Sequence, residues 1–156
     1  MTGADIKPSK SWNFTENGVA PYTRKILANF PAPMYFSPYG TTVITGNRLL
    51  PATPADNPVR EAYRLWNNAL NTGRMSWDHI AVIYAVEPQL FDEDTVGELV
   101  MTDDNKIYWN KNANNARHIK VTPKITDEEL SQKIETMMAI SPLVKAGEAH
   151  KIHEVN

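Results

Sequence analysis

Hydrophobic and polar positions divide the chain into short alternating stretches. Residues 1–17 are polar and without period, which predicts loop. From Gly18 the residues Val19, Tyr22, Ile26, Leu27 and Phe30 recur at helical spacing. Pro21 stands where a first helical turn needs no N–H, and Pro31 and Pro33 end the run. Two β-rich pieces follow, 34–37 and 42–45, around the turn signal Pro38-Tyr39-Gly40. The stretch 47–55 carries Pro51 and Pro54 and predicts an ordered loop. Asp56 or Asn57 can cap a helix opened by Pro58, with Val59, Ala62, Tyr63, Trp66 and Leu70 on its inner face and Arg60, Glu61, Arg64 and Asn67 in water. Asn71-Thr72-Gly73 stops it.

The apolar run between Ser76 and Pro88 fits a buried strand or a buried helix by period alone. Ser76 as N-cap and Asp78 in the first turn favour the helix. A hairpin is predicted from 98–101 and 106–109 around Thr102-Asp103-Asp104-Asn105. His118 precedes a further strand, 118–121, and is expected at the surface. Thr126-Asp127-Glu128-Glu129 has the form of a capping box, opening a helix with Leu130, Ile134, Met137 and Met138 on one side, closed by Pro142. Helices interleaved with short strands predict an α/β architecture, one domain over 1–142 and a polar tail over 143–156.

Composition narrows the chemistry. Sixteen basic and eighteen acidic residues give a net charge of −2, so no positive field exists to displace counterions from a nucleic acid. The absence of cysteine excludes disulfides, thiolate metal sites and a cysteine nucleophile. No apolar stretch approaches the ~20 residues that span a bilayer, and the N-terminal segment lacks the apolar region of a signal peptide. The expectation is a soluble, cytoplasmic chain without nucleic-acid or membrane partners.

Phosphate loops, dinucleotide fingerprints and nucleophile elbows are all missing from the sequence. His150 and His153, three apart, have no carboxylate cluster beside them, and Asp103-Asp104 reads as a turn pair. The arrangement that stands out is Arg74, Ser76, Trp77, Asp78 and His79 at the mouth of the apolar helix. Asp78 there is either an acid in a first turn or a carboxylate held at a rim for a cation or sugar hydroxyls.

The same residues carry a resemblance. GRMSWDHIAVIYAV, preceded by DNPVREAYRLWNNAL, together with SWNFTENGVAPYTRKILANFPAPMYFSPYGTTVITGNRLL, resembles the C-terminal half of the inosine/uridine-preferring nucleoside hydrolase family. The resemblance implies an open, mainly parallel sheet with flanking helices, of which the N-terminal half is missing. It implies hydrolysis of the N-glycosidic bond of ribonucleosides around a calcium ion that orients water and grips the ribose. By the same resemblance Asp78 corresponds to a calcium ligand, Asn13 to a ribose contact, and Trp77 to a position that is histidine or tryptophan in the family. Ser11 stands where the family has a glutamate. The aspartate cluster that supplies the general base has no counterpart, and Asp92-Glu93-Asp94 is the sole similar density. No catalytic residue is therefore assigned. The implied reading is an enzyme part completed by a second chain or by self-association. The alternative is a non-catalytic remnant that binds a nucleoside or sugar, or serves oligomerisation.

Overall fold

The computed structural model describes residues 8–140, so the tail, Pro142, His150 and His153 lie outside the described residues. Seven α-helices and seven strands are defined among them. In chain order they are α1 (Trp12–Thr15), α2 (Ala20–Asn29), β1 (Met34–Phe36), β2 (Ile44–Thr45), α3 (Leu49–Ala52), α4 (Pro58–Leu65), α5 (Ala69–Thr72) and β3 (Arg74–Met75). There follow α6 (Trp77–Val86), β4 (Phe91–Asp94), β5 (Glu98–Met101), β6 (Ile107–Asn110), β7 (His118–Pro123) and α7 (Asp127–Ala139). The mixed α/β class is as expected. The described residues form two compact units, one from 8–39 and 80–124, the other from 40–79 and 125–140.

The first unit is built on a three-stranded sheet in the order β1-β7-β4. β1 runs parallel to β7 with Tyr35 opposite Ile119, and β4 runs antiparallel to it with Glu93 opposite Val121. Alternation along the strands puts Tyr35, Ile119 and Val121 on one face. There Tyr84 of α6 packs against Tyr35 and edge-on against Phe91, ring centroids 5.1 and 5.4 Å away, and its hydroxyl donates to Glu93 at 2.7 Å. Met34, Phe36, His118 and Lys120 take the opposite face, where Met34 and Phe36 join the cluster of Leu27, Leu99 and Trp109. Lys120 is buried, with Nζ 3.1 Å from the Asp94 carboxylate and 5.6 Å from the centre of the Trp109 ring. The hairpin β5–β6 closes at Asn105, whose φ of 64° suits asparagine. Arg24 of α2 donates to the carbonyls of Met101 and Thr102 at its tip.

In the second unit β2 pairs antiparallel with β3. α7 lies against β2, with the Ser131 hydroxyl donating to the Ile44 carbonyl. Its capping box is complete: Thr126 Oγ1 accepts from Glu129 N–H and the Glu129 carboxylate accepts from Thr126 N–H. Asn57 caps α4 by accepting from the N–H groups of Val59 and Arg60, and its amide donates to the Met138 carbonyl. Leu49, Tyr63, Ala69 and Leu70 form the core, with Val59 and Met138 against it.

Several expectations are corrected. The helix from Pro58 does not continue to Thr72: Asn67 and Asn68 adopt φ of 43° and 60° and split it into α4 and α5, leaving Ala62 and Trp66 exposed. On α2 the buried positions are Ala20 and Leu27, while Tyr22, Ile26 and Phe30 face outward. α1 and α3 occupy segments expected as loop, and Asp92-Glu93-Asp94 is itself part of β4. Met137 is exposed, since the inner face of α7 is set by Leu130 and Ile134. His118, expected at the surface, is 1% exposed, because its partners come from α2 and β5, far away in sequence.

Candidate functional site

The segment 40–46 fixes the start of α6. Ser76 N–H, just after β3, donates to the Gly40 carbonyl at 3.0 Å. The side chain of Ser76 is buried. Its hydroxyl is 2.6 Å from Thr45 Oγ1, which is in turn 2.7 Å from the Tyr63 hydroxyl, a fully buried chain of three hydroxyls. Buried polar groups stay inside only when so paired, and the pairing anchors the residue preceding the site.

Trp77 then folds back over Gly40-Thr41. Its indole N–H donates to Thr41 Oγ1 at 3.1 Å. A Cβ on residue 40 would sit 2.5 Å from the Trp77 Cα, so only glycine permits this approach, and φ of +127° at Gly40 demands it independently. Sequence reading took Pro38-Tyr39-Gly40 as a turn alone; the part Gly40 and Thr41 play against Trp77 had no local signal. The indole is held on one side and 46% exposed on the other.

Asp78 follows in the first turn of α6, exposed, where free backbone N–H groups and the helix dipole favour a carboxylate. His79 is half-buried with Nδ1 enclosed and unpaired. Burial lowers its pKa from the ordinary histidine value, the Asp78 charge works against that shift, and Arg74 adds to it. The Arg74 guanidinium stacks 4.3 Å above the Trp66 ring.

Trp77 and Asp78 are thus consecutive on one helical turn of the second unit. Asn13 belongs to α1 of the first unit and is exposed. A single aspartate supplies at most two of the roughly six to eight oxygens calcium takes, and among the described residues no three His, Asp or Glu side chains come together as a metal site. The residues described do not fit calcium. A separate groove of about 520 Å³ in the first unit, lined by Tyr35, Ser37, Ala81, Tyr84, Ala85, Pro88 and Val121, includes none of the expected site residues. No helix among the described residues is long and apolar enough to cross a membrane. No protein-family model, curated protein or solved structure matches the chain.

Proposed function

We propose that this chain is a nucleoside hydrolase-like part that binds a ribonucleoside or related sugar at Trp77-Asp78 and does not cleave the N-glycosidic bond alone. The observation that carries the reading is the fixed, half-open indole of Trp77 at the start of α6, followed in the same turn by the exposed Asp78. An aromatic face held in place offers stacking to a base or to the apolar face of a sugar at little entropic cost. The exposed carboxylate of Asp78, in the same first turn, is an acceptor for ribose hydroxyls. The general base, and the oxygens for any calcium, belong to a second chain in this proposal.

Calorimetric titration of the chain with inosine and with uridine, with and without calcium, tests it. The expected result is binding that weakens roughly tenfold or more in Trp77→Ala, the size of one base–aromatic stack, with no product by chromatography. Equal affinity in wild type and Trp77→Ala, or no heat with either nucleoside, overturns the reading.

The outward row Tyr22, Ile26 and Phe30 on α2, 67, 53 and 44% exposed, favours a second reading, an oligomerisation piece. Sedimentation distinguishes it: a dimer dispersed by Ile26→Glu with nucleoside binding absent supports this reading over the first.

A further inference from the structure

We propose that the groove between α6 and the β1-β7-β4 sheet is a binding site for a small organic ammonium ion, held by two tyrosine rings and the Glu93 carboxylate. Its volume of about 520 Å³ falls in the range of about 300–1,000 Å³ in which proteins bind small molecules. The space exists because Ala81 and Ala85, four apart on one face of α6, present only methyl groups there. Tyr84 on the same face and Tyr35 of β1 supply two aromatic walls, with centroids 5.1 Å apart and planes inclined at 41°. Rings so inclined do not cover each other, and Tyr35 is 48% exposed. Buried Val121 of β7 adds apolar surface, and Ser37 adds a hydroxyl just beyond β1.

Charge decides the class of ligand. Aromatic and aliphatic walls alone would take any apolar molecule of the right size. On this face of the sheet the charged strand residue is Glu93, which stands opposite Val121. Asp92, Asp94 and Lys120 alternate to the other face. The nearby lysines are paired with those aspartates, Lys120 with Asp94 at 3.1 Å and Lys124 with Asp92 at 3.9 Å. Glu93 is exposed, and its carboxylate accepts from the Tyr84 hydroxyl at 2.7 Å. That bond keeps a negative charge against the aromatic wall. It also draws the phenol proton outward, which enriches the ring face in electrons, and such faces attract cations within about 6 Å. Burial and then the Glu93 hydrogen bond raise the Tyr84 pKa above the ordinary phenol value, so the hydroxyl stays the donor. An ionised carboxylate has acceptor sites for several donors. An alkylammonium ion matches all of this: weakly hydrated charge for the rings and Glu93, and apolar substituents for Ala81, Ala85 and Val121. An anion would meet Glu93 with like charge. A calcium ion would need roughly six to eight oxygens, which one carboxylate does not supply.

The site is tested by NMR titration of the intact chain with two probes, choline and the neutral alcohol in which carbon replaces its quaternary nitrogen. Choline is expected to give saturable shifts centred on Ala81, Ala85 and Val121. The neutral probe, of the same shape, is expected to bind roughly fivefold or more weakly, the size of a cation–π contact. Glu93→Gln keeps an acceptor for Tyr84 and removes the charge. It is expected to weaken choline roughly threefold or more and to leave the neutral probe unchanged. Ala85→Leu fills the groove from an exposed helical position and is expected to abolish binding of both. Any one of four results overturns the proposal: no saturable shifts with choline, equal affinity for the two probes, shifts centred on Trp77 and Asp78 instead of the groove, or wild-type choline affinity in Glu93→Gln or Ala85→Leu.

Discussion

The Glu135 carboxylate accepts the backbone N–H of Gly46 at 2.6 Å, and the same side chain meets the guanidinium of Arg48 at 3.4 Å. A buried acid on α7 thereby fixes the turn after β2. Glu135→Ala leaves the Gly46 N–H without an acceptor. The expected cost is about 2 kcal/mol in urea unfolding, the penalty of an orphaned buried donor. Glu135→Gln keeps an acceptor and is expected to lose less.

Gly40→Ala separates the support of Trp77 from Trp77 itself. The added methyl meets the Trp77 backbone rather than a movable side chain, at a φ that alanine resists. A stability loss of at least about 1 kcal/mol is expected, with loss of nucleoside binding in calorimetry although Trp77 and Asp78 are unchanged. Full retention of binding separates the indole's placement from its proposed role.

Tyr63 and Ser76 both reach Thr45 Oγ1, so their hydroxyls are expected to act as one network. Tyr63→Phe and Ser76→Ala should each cost about 1 kcal/mol. The double variant should depart from additivity by roughly 0.5 kcal/mol or more. Denaturant midpoints of the four proteins in the cycle measure it.

At the hairpin tip the Lys106 ammonium, 2.6 Å away, and then the Thr102 hydroxyl hold the Asp104 carboxyl down at about 2. Because the folded state favours the ionised form, its contribution is complete above the ordinary aspartate range and is lost as pH falls from about 4 toward 2. Lys106→Met is expected to raise the Asp104 midpoint in an NMR titration. Global stability at neutral pH should hardly move, since the pair is exposed to solvent.

Elements defined by local chemistry were legible in the sequence. Thr126 with Glu129, Asn57 before Pro58, and the Thr102–Asn105 turn each contain their own hydrogen-bonding partners, and the structure has all three. The break at Asn67-Asn68 left a local trace, two residues tolerant of left-handed backbone, but the apolar period running through it from Val59 to Leu70 overrode that trace. The inner face of α2 was misread because Tyr22, Ile26 and Phe30 make the more regular row, whereas burial follows what Leu27 meets across β5 and β6. Trp77-Asp78 at a helix start was legible from Ser76, whereas the pairing of its backbone with Gly40 and of its hydroxyl with Thr45 had no local signal. The burial of His118 depends on Leu27 and Leu99, and nothing adjacent to it announces that.

The two units interleave along the described residues, one taking 8–39 and 80–124, the other 40–79 and 125–140. For a polypeptide emerging from the ribosome this imposes a waiting time. β1 is made well before its sheet neighbour among the described residues, β7, which begins at His118. The Gly46 turn likewise stays without the Glu135 acceptor until nearly all described residues are out. Neither unit can be finished before β7 and α7 have been made, so exposed strand edges and unpaired amides persist until then. That interval, rather than the finished protein, is where an aggregation hazard and a need for chaperones would concentrate.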